Sequence, residues 1–162
     1  MKIKLSVWAI LLFISFGVFS QDQEEFTDDE ISTYAKVMVW AEMETQKMSD
    51  SVEYWVKNNE KLSASAYNEL SKAAKSGDIS TADVTQEETD EFQIIQDKID
   101  NQKEAFKLVY VDKIKEDIGA GLYNRLKKAL KSDEELKARY DAIYSSISDE
   151  IMPSEEEVSG EN

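Results

Sequence analysis

Between residues 27 and 148 the chain contains no proline, and Gly77, Gly119 and Gly121 are its only glycines there. A stretch so poor in breakers cannot make the many tight turns of a sandwich or barrel, which leaves long helices as the economical fold. Helix starts are written as capping boxes at Thr27-Asp28-Asp29-Glu30, Thr85-Gln86-Glu87-Glu88 and Ser132-Asp133-Glu134-Glu135. In each, a hydroxyl can accept an orphan N–H of the first turn while the glutamate three residues on reaches back. The flanking acids suit the positive helix N-terminus. Phe26 and Ile31 stand at staple positions around Thr27, as Leu62 and Tyr67 do around a Ser63 cap.

Periodicity agrees with the caps. Positions 31, 34, 38, 41, 45, 48, 52 and 55 carry Ile, Tyr, Met, Ala, Thr, Met, Val and Trp, one stripe of a long helix. Phe92, Ile95, Ile99, Phe106 and Val109 repeat the pattern, with polar Gln102 interrupting it, and Ile114 and Ile118 carry the apolar face onward, slightly displaced. These patterns predict helices at 28–58, 63–76, 86–117, 120–131 and 133–148. No segment alternates with period two for long enough to make a strand. The tail 148–162, with Glu155-Glu156-Glu157, is predicted to be disordered and acidic.

Two stretches match each other. Tyr67 to Ser76 aligns with Tyr123 to Ser132 with seven of ten residues identical, at an offset of 56. Upstream, Thr27, Glu30 and Tyr34 correspond to Thr85, Glu88 and Phe92 at an offset of 58. This pattern predicts a duplication, unit one spanning about 26–78 and unit two about 84–147 of a helical domain 21–147. Each unit is a long helix, roughly 45 Å at 1.5 Å per residue, followed by a short one of about 20 Å. A short helix cannot cover the whole stripe of a long one, so the expected fold is an all-α bundle of four main helices plus a short fifth.

The Leu-Ser then Tyr-Asn element, followed by Lys-Ser-Asp with Leu136 three residues beyond Asp133, resembles the closing motif of the bacterial domain-of-unknown-function 4168 family. The resemblance extends over the chain to about residue 143 as two tandem units. It implies an exported helical protein and no particular activity. The family's usual Gly before Leu-Ser is Lys61 here, and the second unit has Gly119-Ala120-Gly121-Leu122 in a shortened spacing before Tyr123.

Address and chemistry follow from the ends and the composition. Lys2 and Lys4 precede an apolar run from Leu5 to Phe19, and Val18-Phe19-Ser20 precedes Gln21, the pattern of a removable signal peptide over residues 1–20. The run falls short of the roughly 20 residues that span a bilayer. The expected location is therefore periplasmic or secreted, without stable membrane insertion after leader removal. Acidic residues number 34 against 19 basic, a net charge of −15, which argues against nucleic acid and anionic lipid as partners. The chain has no His and no Cys. Thiol catalysis, Ser-His triads, disulfides and the usual zinc, haem or iron–sulfur sites are thereby excluded. No catalytic residue, cofactor or metal is expected. Asp28-Asp29-Glu30 and Glu87-Glu88 lack the spacing of a calcium loop and read as helix-start acids.

Two features remain as candidates. Val37-Met38-Val39-Trp40-Ala41, followed by Met43, is apolar nearly all round the helix, as a bundle core or as a partner surface formed by Val37, Trp40 and Met43. The repeat motifs Tyr67-Asn68 and Tyr123-Asn124 read as structural, each Tyr packing on Leu62 or Ile118. Two functions are compatible with such a chain. The first is a non-enzymatic envelope protein that engages one protein partner, another copy of itself included. The alternative is an acidic periplasmic holding chaperone for unfolded exported proteins. The first predicts one compact apolar patch, the second a broad apolar concavity.

Overall fold

A computed structural model describes residues 25–152. The expected signal peptide, residues 1–20, lies outside the described residues. The described chain is all-α: α1 (Asp28–Lys57), α2 (Ala64–Ser76), α3 (Gln86–Lys113), α4 (Ala120–Ala129) and α5 (Glu134–Ile151). A short 3-10 turn, Ile79–Thr81, links α2 to α3, and a π-helical turn, Ile114–Ile118, closes α3.

The first two capping boxes form as written. The Thr27 hydroxyl accepts the Glu30 N–H at 3.2 Å while the Thr27 N–H donates to Glu30 Oε2 at 2.9 Å, and Thr85 and Glu88 repeat the exchange. The third start differs. Asp133, not Ser132, caps α5, its carboxylate accepting the Leu136 N–H at 2.9 Å. Helix α2 ends on Gly77 at φ +88°, where the Asp78 and Gly77 N–H groups return to the Ala73 and Ala74 carbonyls at 3.1 Å each, a glycine C-cap.

The two long helices run antiparallel, and each short helix covers the start of the other long one. At one end Leu62, Ala66 and Leu70 bury with Phe92 and Ile95 of α3. At the other, Ile118 and Leu126 bury with Ile31, Tyr34 and Val37 of α1. The ring of Tyr67 meets Phe92 at 5.5 Å between centroids, and that of Tyr123 meets Tyr34 at 5.6 Å. The π turn explains the displaced apolar face. Its extra residue, marked by the Gly119 N–H donating to the Ile114 carbonyl at 2.8 Å, lets both isoleucines reach the core.

Helix α5 departs from the expected short fifth. It has 18 residues, more than α2 or α4, and lies parallel to α1. It continues to Ile151, past the boundary expected at Ser148 for the disordered tail; residues 153–162 lie outside the described residues. Arg139 ties its start to α1, donating to the Phe26 carbonyl at 3.0 Å and to Asp28 at 2.6 Å. Ile147 then buries against Ala35 and Val39. The residues 58 positions further on, Gln93 and Asp97, are polar, and Gln93 donates to Asp97 at 3.0 Å. That face of α3 therefore needs no cover, whereas α1 is apolar on two faces and receives α4 and α5.

Candidate functional site

Each short helix stops near its own end of the molecule, so the middle of the α1–α3 seam is left open on one side. There Glu44, Lys47, Met48 and Ser51 of α1 face Gln102, Ala105, Phe106 and Val109 of α3 across a groove of about 270 Å³. Each α3 residue is the one 58 positions beyond its α1 counterpart. The groove therefore straddles the crossing of the two long helices. Trp40 closes one end, its ring stacked on Phe106 at 5.9 Å and 19°. Lys113 Nζ lies 5.4 Å from the centre of the Trp40 ring, a cation on its π face.

The apolar lining continues onto the surface of α3. Val109 is 54 % exposed and Leu108, beside it, 69 %. With Ala105 they form an i, i+3, i+4 ridge along one edge of the groove. The floor carries an anomaly: Gln102 Oε1 is buried with no hydrogen-bond partner. An acceptor desolvated without compensation costs on the order of 1–3 kcal/mol.

The sequence-derived surface of Val37, Trp40 and Met43 is not one surface. Val37 is 1 % exposed and belongs to the core beside Ile31 and Leu126, so it cannot meet a partner. Met43 is half-buried on the other side of α1, packed into the cluster that Ile147 of α5 completes. Only Trp40 reaches the groove. Each step of three shifts the position by 60° around the helix, so Val37 and Met43 stand 120° apart with Trp40 between them, and each meets a different neighbour. Phe106 and Val109 read as core from their spacing. The signal that could have exposed the groove was present: Gln102 interrupts the α3 stripe, and Thr45 stands in the α1 stripe.

The repeat motifs lie at opposite ends of the molecule. Tyr67 and Asn68 border a second cavity, about 470 Å³, with Val52, Val56 and Ile99. The hydroxyl of Tyr123 pairs with that of Tyr110 at 3.2 Å, and Asn124 is exposed. Both tyrosines pack beside the residues expected as their staples, Leu62 and Ile118 respectively.

Carboxylates at the helix starts are engaged in the fold, Glu30 and Glu88 in their capping boxes and Asp28 with Arg139. Among the described residues no three His, Cys, Asp or Glu side chains converge where a metal ion could be held. No helix among them is long and apolar enough to cross a membrane. Burial pushes the Tyr34 hydroxyl up from 10.0 to about 12, with Tyr123 adding to it. Burial, then the neighbouring Glu42 carboxylate, takes Tyr144 to about 12. Burial likewise raises Tyr110 and Tyr140. These groups stay protonated at neutral pH and offer no base for catalysis. Comparisons with family models, with curated proteins and with solved structures each return no significant match.

Proposed function

We propose that this chain is an exported, non-enzymatic protein of the cell envelope that works by binding one protein partner in the groove between α1 and α3. The observation that carries the reading is the open apolar lining of Trp40, Met48, Phe106 and Val109, continued by exposed Leu108. Large aromatic and methionine side chains around a concavity are the composition of binding hot spots. A volume of about 270 Å³ holds one or two bulky side chains, which favours a single apolar anchor on a helical segment over the broad grip of a holding chaperone.

Charge narrows the partner. With a net charge of −15, the field around the molecule attracts a segment that carries basic residues beside its anchor and repels another copy of this chain. Export rests on the leader-like residues 1–20. Descent by duplication is supported by the pairing of Tyr67 with Phe92 and of Tyr123 with Tyr34, positions that the offsets of 56 and 58 make equivalent. Kinship with the domain-of-unknown-function 4168 family rests on the sequence motifs alone.

The test is co-purification of the tagged protein from its native host after mild cross-linking, beside a Val109→Asp variant. One species at constant stoichiometry, lost in the variant, supports the reading. A broad set of exported proteins, growing under heat stress, would replace it with the chaperone.

A further inference from the structure

Seven aromatic side chains in unbroken contact connect the groove to the far side of α1. From Trp40 the rings step to Phe106 at 5.9 Å and from Phe106 to Tyr110 at 5.5 Å, both stacked within 20°. The hydroxyl of Tyr110 then meets that of Tyr123 at 3.2 Å. Tyr123 touches Tyr34 at 5.6 Å, Tyr34 touches Tyr140 at 5.8 Å, and Tyr140 touches Tyr144 at 5.6 Å. Centroid separations in this range are ring contacts. At the end of the series the Tyr144 hydroxyl donates to the carboxylate of Glu42.

We propose that this series of rings is a conduit for an oxidising equivalent, taking it from Trp40 in the groove to Tyr144 beside Glu42. Indole and phenol are the side chains of this protein most readily oxidised by one electron, apart from the thioethers; Phe106 serves only as a bridge. An oxyl radical or another one-electron oxidant of similar strength takes one electron from Trp40 and is itself reduced. Electrons then pass along the rings toward Trp40, restoring it, until the deficit rests on Tyr144; Tyr34 and Tyr140, whose phenols keep their protons, serve like Phe106 only as bridges. A phenol that loses an electron becomes a strong acid, so the step holds only where its proton can leave. Tyr144 passes its O–H proton to Glu42 Oε2, and the exposed carboxyl releases it to water. The balance is one oxidant and one tyrosine giving a reduced oxidant, a neutral Tyr144 phenoxyl radical and one proton.

Fixed charges set the direction. Lys127 Nζ lies 5.3 Å from the Tyr123 ring while donating to its hydroxyl at 3.4 Å, and Lys113 Nζ, ion-paired with Asp117 at 2.6 Å, lies 5.4 Å from the Trp40 ring and adds less. Positive charge raises the energy of an electron-deficient ring beside it, and the Glu42 carboxylate lowers it at Tyr144. The ordinary state of Tyr144 is the neutral phenol, as its raised pKa of about 12 requires, so its proton is in place to be transferred. The consequence is that damage arriving at Trp40 leaves the groove and surfaces on the α1–α5 side.

The chain contains no cysteine, so Glu44→Cys introduces a single attachment point for a ruthenium polypyridyl photo-oxidant one turn from Trp40. The chain from residue 21 onward would carry Tyr54→Phe as well, which removes a phenol 65 % exposed outside the series. Flash oxidation read by transient absorption and electron paramagnetic resonance is expected to give a tryptophanyl signal that decays into a tyrosyl signal. Tyr144→Phe should lower the tyrosyl yield severalfold, Tyr110→Phe should prolong the tryptophanyl signal, and Glu42→Gln should slow tyrosyl formation. All three changes keep side-chain shape, and circular dichroism checks the fold. A tryptophanyl lifetime unchanged by Tyr110→Phe, or a tyrosyl yield unchanged by Tyr144→Phe, overturns the proposal.

Discussion

Tyr123 packs on Tyr34 with ring centroids 5.6 Å apart, and the contact joins the short helix of one half to the long helix of the other. Tyr67 and Phe92 make the same contact at 5.5 Å at the opposite end. Each end of the molecule thus has its own core, and neither half can bury its stripe alone.

The two cores carry comparable, separable shares of stability. Leu70 and Leu126 are fully buried at equivalent places in them. Either change to Ala should cost about 2–5 kcal/mol in urea unfolding, and the double variant should lose the sum to within about 0.5 kcal/mol. Strong non-additivity would show that the cores are coupled through the long helices.

Gln102 marks a defect rather than a bond. Gln102→Leu removes an unpartnered buried acceptor and should raise stability by about 1–2 kcal/mol. A loss of stability would show that the amide oxygen has a partner in solution, and that the groove floor is polar by requirement.

Alkaline pH should unfold the protein. Tyr34, Tyr110, Tyr140 and Tyr144 have their folded pKa raised above the ordinary 10.0, chiefly by burial. Their contribution is complete below the unfolded value and is lost as pH rises through the folded ones, so the urea midpoint should fall from pH 10 to beyond pH 12. A midpoint constant across that window would mean that the hydroxyls reach water freely.

The glycines near α4 should separate by backbone alone. Gly119 sits at φ +80° with open space where a Cβ would lie, so Gly119→Ala should cost about 1–3 kcal/mol through strain alone. Gly121, inside the first turn of α4 and equally uncrowded, should gain up to about 1 kcal/mol as Ala. Equal responses in thermal unfolding would contradict this reading of the turn.

Much of the architecture was legible because the helix starts are explicit. Thr27 and Thr85 with their glutamates fix two helix starts to the residue, and the matched Tyr67 and Tyr123 anticipate contacts at both ends. Ser132 misled because Asp133, one residue later, is a competent cap with the same glutamates behind it. The length of α5 was hidden in Ile147, an isolated apolar residue whose partners Ala35 and Val39 lie far away in sequence. The groove was harder to read. An apolar stripe records that a helix face avoids water but not which part of it a neighbour covers. Phe106 and Val109 are identical in pattern to the buried Phe92 and Ile95, and only the reach of α2 and α4 distinguishes them.

Site-specific photo-cross-linking in the native host can show whether a partner binds in the groove between α1 and α3. A photoreactive residue replacing Ser51, at the groove, and one replacing Asn124, exposed on α4, would be compared in otherwise unaltered protein. One discrete adduct is expected from position 51, abolished by adding Trp40→Ala, and none from position 124. Adducts of equal strength from both positions, or a ladder of many sizes from position 51, would contradict it.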